Sequence, residues 1–304
     1  MKKIILVIAV VIPIALAGLF SYNACQKSII AHRQALAIRA GSWADLKENI
    51  RRAQKGYKGE AAIVIKDLDM GWQTESNKDV AMPSASLVKI PIMMAYFAAA
   101  EEGSIKFSDI IELKQSDKTA GSGLLKNECP GSGCTIETLI YLMITRSDNT
   151  AANVLINRMG LDNLNRYFIK FGLKRTNLSR RMMDFKSRKD GVENYTTAGD
   201  MAYILEDLYH GRFINKTVSK KCLELLAEQK INDRIPKKLP HDVIVAHKTG
   251  LENGVCHDVG IVYTNKGNFL ICVLTKHDYP TARPTKHLIS LLSLLTYNYY
   301  SGFL

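Results

Sequence analysis

The sequence predicts an α/β (α+β) fold: one antiparallel sheet flanked by helices, with an all-helical lobe inserted into it. Three observations lead there. Runs rich in Val and Ile lie near both ends of the chain, the stretch from Thr135 to Gly211 keeps a helical period throughout, and the one long apolar run stands alone at the N-terminus. Strands drawn from distant ends can share a sheet, and the helices between them must bury their apolar faces as a further layer.

Residues 1–28 read as a signal peptide or N-terminal membrane anchor. Lys2 and Lys3 precede an uncharged stretch from Ile4 to Phe20, a basic n-region followed by an apolar h-region. Three fates are open: cleavage at Ala15-Leu16-Ala17, lipid attachment at Cys25, or retention as a single anchor. Each places the body outside the cytoplasm, so the expected location is the cell envelope, either membrane-anchored or secreted/periplasmic.

A basic helical stretch follows from Ala31 to Ala53. Ala61 to Ile65 is short, apolar and β-branched, and the turn signal Asp69-Met70-Gly71 leads into Trp72 to Thr74, which together read as a hairpin. Pro83 breaks the chain. From Ser86 onward Leu87, Ile90, Met93, Met94 and Phe97 recur at helical spacing as far as Gly103. Later helices carry Leu139, Leu142 and Met143, then Val154, Leu155 and Met159, then Met201, Ile204, Leu205 and Leu208. After Glu228 the strand runs are Val243 to Ala246, Val255 to Tyr263 and Phe269 to Leu274, the last two joined by the loop Asn265 to Asn268. An amphipathic helix through Leu288, Ile289, Leu291, Leu292 and Leu295 closes the chain. The lobes are therefore 29–80 with 230–304 (α/β) and 81–229 (all-helical), with a groove between them as the natural site.

Composition narrows the function. With 47% hydrophobic and 23% charged residues the chain can bury a core, which excludes a disordered protein. Mean hydropathy of −0.05 excludes a polytopic membrane protein. A net charge of +12 suits an anionic envelope surface; for an exported chain that is a better use than nucleic acid, which is not expected as a partner. Six cysteines are too few for a disulfide scaffold. Only Cys129 and Cys134, flanking Pro-Gly-Ser-Gly, suggest a local bridge; Cys222, Cys256 and Cys272 fall in helical or strand-like runs. His241-Asp242, His257-Asp258 and His277-Asp278 lack the spacing of a metal site and read as surface or strand-end pairs. No metal or cofactor is expected, and the protein is expected to be a monomer.

The chemistry lies in three short segments. Ser86 is the one serine with a lysine three positions on, Lys89. On a helix the two side chains share a face, so the amine can take the hydroxyl proton as attack begins, and a first-turn position favours developing negative charge. Alone the pair is weak, because a chain of this length carries about one S-x-x-K by chance. Ser147-Asp148-Asn149 and Lys248-Thr249-Gly250, in that order, remove the coincidence.

The set S-x-x-K, S-D-N, K-T-G resembles that of class A β-lactamases and penicillin-binding proteins. The likeness to class A β-lactamase-like serine hydrolases runs over Ala31 to Leu304, and it implies a β-lactamase/transpeptidase-like fold. It implies Ser86 as nucleophile, Lys89 as proton acceptor with its pKa lowered by burial and by Lys248, and Ser147 as donor to the leaving nitrogen. Lys248 and Thr249 would attract a substrate carboxylate and Asn149 the substrate's amide. The backbone N–H groups of Ser86 and Leu251 would form the oxyanion hole. Gly250 would let the strand edge approach the ligand, and Asp148 would cap its helix.

One segment departs from the family. Class A β-lactamases carry an E-x-x-L-N glutamate that activates the water for deacylation. The corresponding stretch here, Leu178 to Asp184, reaches Met182 and has no glutamate. Asp184 is the nearest carboxylate, with Glu193 next, but Asp184 is more readily explained by pairing with Arg180, Arg181 or Lys186 to pin the loop. The resemblance implies an exported serine hydrolase acylated by β-lactams or D-Ala-D-Ala-like peptidoglycan amides, with slow deacylation. The alternatives are a D,D-carboxypeptidase or penicillin-binding protein, and a membrane-held β-lactam or muropeptide receptor without turnover. Further segments, Asn194-Tyr195-Thr196-Thr197 with its threonine cap and Arg234 through Pro240, are similar to generic members of this family.

Overall fold

The computed structural model describes residues 2–302 and, within the first helix, the side chains of Tyr22 and of residue 25 onward. The side chains of Ile4 to Phe20, including the Ala15-Leu16-Ala17 site, lie outside those described. Among the described residues no helix is long and apolar enough to cross a membrane.

Five strands form the main sheet: β1 (Glu60–Asp67), β2 (Gln73–Ser76), β3 (Val245–Glu252), β4 (Val255–Val262) and β5 (Phe269–Lys276). Their order is β2-β1-β5-β4-β3, and every neighbouring pair is antiparallel. The two ends of the chain meet where β1 pairs with β5, from Glu60 opposite Lys276 to Asp67 opposite Phe269. That pairing lets one sheet hold a long helical insertion without a second sheet edge in its middle.

Side chains alternate across the sheet as the pleat requires. Ile63, Ile65, Ile271 and Val273 face one way, against Trp43, Leu46 and Ile50 of α1 (Lys2–Lys55) and Leu288, Ile289 and Leu292 of α9 (Arg283–Ser301). Val64, Val259, Ile261, Leu270 and Cys272 face the other way and join the core of the insertion. Seven helices lie between β2 and β3: α2 (Lys89–Glu101), α3 (Ile136–Thr145), α4 (Asn149–Met159), α5 (Leu161–Lys170), α6 (Phe185–Lys189), α7 (Ala198–Tyr209) and α8 (Lys216–Ala227). Thr135, Asp148, Thr197 and Asn215 each cap the helix that follows by accepting a backbone N–H three residues on. The architecture is therefore the α+β one expected from the sequence.

Several details differ from the sequence reading. β3 runs past the expected Val243 to Ala246 and takes in Lys248-Thr249-Gly250, because pairing with β4 continues as far as Glu252 opposite Val255. Ser86 belongs to a 3-10 turn, Ala85–Val88, and the α-helix starts at Lys89. Two-residue strands, Met82–Pro83 and Tyr195–Thr196, pair within the helical region, and so do Ile110–Glu112 and Gly133–Thr135. Cys129 and Cys134 are free thiols, as are the buried Cys222, Cys256 and Cys272. His257 and Asp258, inside β4, and His277, just past the end of β5, are all buried, because helices cover both faces of the sheet and leave little solvent there. His241 and Asp242 are exposed.

Candidate active site

On the 3-10 turn, residues three apart eclipse one another, so Ser86 and Lys89 project from one side of the chain. The turn is entered through Ala85, whose φ of +45° is a left-handed conformation that a Cβ disfavours. Ser147 has the same feature, with φ +53°. Such strain costs on the order of 1–3 kcal/mol per residue and persists only where surrounding contacts hold it.

Lys89 leads α2 and is completely buried. Its Nζ donates to the Ser147 carbonyl at 2.7 Å and to Asn149 Oδ1 at 2.8 Å, and lies 3.4 Å from Ser147 Oγ. Lys248, also completely buried, reaches the same hydroxyl from β3: its Nζ donates to Ser147 Oγ at 3.0 Å and to the Thr249 carbonyl at 3.0 Å. One hydroxyl thus links the two amines. Among the described residues Lys89 makes no hydrogen bond to Ser86.

Two buried amines so close cannot both hold a proton as readily as in water. Burial pushes the Lys89 ammonium down to about 7, opposed only by the Asp148 carboxylate. Lys248 is lowered well below the usual lysine range, by burial first and by repulsion from Lys89 second. The sequence reading had both burial and Lys248 lowering Lys89. Burial is the larger cause for both amines.

The cleft beside these groups is a cavity of about 270 Å³ bordered by Ser86, Asn149, Leu251 and Glu252 and by Arg180, Met182, Met183 and Asn194. Thr249 is buried next to Leu251 in β3. Gly250 packs on His257 and Ala85: a Cβ there would lie 3.1 Å from the His257 ring and 3.4 Å from Ala85 Cβ. The Asp148 carboxylate caps α4 through Ala151 N–H at 2.9 Å and accepts from Leu125 N–H at 3.0 Å. It therefore fastens the Gly121-Ser122-Gly123 loop to the cleft. Gly123, at φ +113°, admits no side chain, because a Cβ would overlap that carboxylate.

Asp184 does not border the cleft, although Met183 and Phe185 on either side of it do. Its carboxylate caps α6, accepting from Ser187 Oγ at 2.7 Å and Ser187 N–H at 3.1 Å. Those hydrogen bonds hold it below the usual carboxylate range, and Arg181 and Arg180 contribute less. The capping bond, not ion pairing, is its main tie. Glu193 is held by Arg180 at 2.7 Å and by Arg188 at 3.2 Å. Glu252 accepts from the same arginines, at 3.1 and 3.4 Å, and closes the loop onto β3.

Sequence reasoning missed Glu252 and the glycine-flanked Ser122, and it gave the buried His257 no place beside the cleft. The Gly-Ser-Gly pattern was the available signal for the loop. The arginine–glutamate network carries none, since its members are scattered along the chain.

The model of the beta-lactamase enzyme family matches residues 45–300. The chain belongs to that family. It is a β-lactamase-like serine hydrolase. Among curated relatives of this hydrolase is β-lactamase VEB-1 of Pseudomonas aeruginosa, 27% identical over 83% of this chain and 88% of the relative. Among solved structures, a β-lactamase from Sphaerobacter thermophilus superposes with a TM-score of 0.78 at 31% identity, covering 86% of this chain and 97% of that one. PBP-A superposes equally well, with a TM-score of 0.78 at 26% identity over 85% of this chain and 96% of that one. A leucine-to-glutamate variant of PBP-A, similar to the same degree, is an acyl-enzyme complex with penicillin G.

Proposed function

We propose that this protein is an exported serine hydrolase that β-lactams or D-Ala-D-Ala-like amides acylate at Ser86, and that it releases the acyl group slowly. The observation that carries this reading is the Ser147 hydroxyl lying between Lys89 and Lys248, with Ser86, Met182 and Met183 lining the adjoining cleft.

Neutral Lys89 accepts the Ser86 proton as Oγ bonds to the carbonyl carbon, and the carbonyl electrons move onto oxygen, held by the backbone N–H groups of Ser86 and Leu251. As the tetrahedral intermediate collapses, the carbon–nitrogen bond breaks. The nitrogen takes a proton from Ser147, which is resupplied by the adjacent amines. A substrate carboxylate beside Lys248 and Thr249 offsets the cost of charging a buried ammonium there. Asn149 orients the acyl amide.

Deacylation requires a base for water. Met182 and Met183 cannot serve, Asp184 is engaged by Ser187, and Glu193 and Glu252 are engaged by arginines. A positioned general base contributes about 10²- to 10⁴-fold, so acyl release is slow while acylation proceeds. A stopped-flow trace with a chromogenic cephalosporin should show a burst of about one equivalent followed by slow turnover. Fast linear turnover without a burst would contradict the slow-release reading.

A second reading, a penicillin-binding D,D-peptidase, is favoured by the likeness to PBP-A; release of D-alanine from a D-Ala-D-Ala peptide would select it. Export rests on the basic-then-apolar N-terminus. Recovery of the protein in the cytoplasmic fraction of its host would overturn that part.

A further inference from the structure

The strained turn that presents Ser86 is fastened to the sheet by one buried ring. His257, in β4 and completely buried, has hydrogen bonds at both nitrogens. Nε2 lies 2.8 Å from the Pro83 carbonyl, and Nδ1 lies 3.1 Å from the Thr275 N–H. A backbone N–H can only donate and a carbonyl can only accept, so the ring must be neutral with its proton on Nε2. Pro83 stands three residues before Ser86, and Ala85, between them, is in the left-handed region. Other ties to this segment are backbone ones: Ser84 N–H to the Asn194 carbonyl at 2.7 Å and the short pairing of Met82–Pro83 with Tyr195–Thr196. Both lead to the loop wall of the cleft. Among the described residues, His257 supplies the one side-chain hydrogen bond from the central sheet to residues 82–86. Its ring also packs against Gly250, beside Ala85.

We propose that His257 is a positioning residue for the acylation of Ser86: its Nε2–H bond to the Pro83 carbonyl fixes the nucleophile turn to the strand that lies next to Lys248-Thr249-Gly250. This rests on the reading of Ser86 as nucleophile. Holding a left-handed alanine requires contacts that over-determine it. Releasing one of them lets the turn relax and moves Ser86 Oγ relative to a carbonyl bound against β3.

Two variants separate the role from general packing. His257→Gln keeps an N–H near the Nε2 position, whereas His257→Asn keeps polar atoms only near Nδ1 and loses the bond to Pro83. With a chromogenic cephalosporin, His257→Asn should lower the acylation rate constant by about 10- to 100-fold with little change in the affinity of the initial complex, as expected for a misplaced reacting group. His257→Gln should recover most of that loss. Equal acylation by native protein and His257→Asn, or equal losses in both variants, would overturn the proposal. If the native protein forms no acyl-enzyme, the functional reading fails instead. Should neither variant fold, the ¹⁵N shifts of the histidine ring in the native protein decide: a neutral Nε2–H tautomer at neutral pH is expected, and an Nδ1–H tautomer or an imidazolium would contradict it.

Discussion

At the scale of single residues, the proposed mechanism depends on keeping buried basic groups uncharged. In that mechanism Lys89 must lack its proton to accept one from Ser86, and burial brings it to about 7. Acylation measured as kcat/KM should therefore rise with pH through about 7 and level off above it. Lys89→Met should lower acylation by about 10²- to 10⁴-fold across that range. A flat profile between pH 6 and 8 would detach Lys89 from the proton transfer. His257 gives a stability prediction. Burial depresses its pKa from 6.5 to about 4 in the folded protein, with Arg234 and His277 also opposing its protonation. An unfolded chain takes up that proton first, so this contribution is complete above pH 6.5 and is lost as the pH falls towards 4. A depression of this size corresponds to about 3 kcal/mol. Urea unfolding at several pH values should show native protein losing stability more steeply than His257→Gln over that interval; parallel slopes would contradict it.

At the scale of elements, the proposed slow release of the acyl group rests on the loop from Arg180 to Asn194. It is held by the buried Arg180, which joins Glu193 within the loop to Glu252 at the end of β3. Removing one partner of a buried ion pair leaves a charge without compensation, so Arg180→Met should destabilise the protein by about 3 kcal/mol, read as a lower denaturation midpoint. Met183 occupies the side of this loop nearest the catalytic amide. Its Sδ lies 3.2 Å from where a Cβ on Gly121 would stand, and the Asn149 amide borders the same point. Met183→Glu would bring a carboxylate to that place. Deacylation should then accelerate by about 10²-fold or more, seen as loss of the burst and a faster steady state. Unchanged release would mean that the methionine wall is not what makes it slow. The loop was also the segment least legible in the sequence. A missing glutamate could be seen, and Asp184 stood close to the right distance. Whether an aspartate enters a cleft or caps a five-residue helix depends on backbone direction, which composition does not encode.

At the scale of the whole molecule, the legible features were those with a period or a motif. The terminal Val/Ile runs and the central helical period mark the sheet and its insertion, because alternation and 3.6-residue repeats are imposed by backbone geometry. The burial of polar groups was not legible: His257 and Asp258 lie within a strand covered on both faces and His277 follows the end of another, and a histidine–aspartate dipeptide looks the same in a loop. The convergence of distant segments was legible only through the three motifs. The central claim is that these motifs serve one nucleophile, Ser86. Intact-mass measurement after incubation with benzylpenicillin, followed by peptide mapping, tests it most directly. One adduct per chain, on the peptide carrying Ser86, persistent over minutes to hours and absent in Ser86→Ala, is the expected result. No adduct on the native protein, or an adduct that survives in Ser86→Ala, would contradict it.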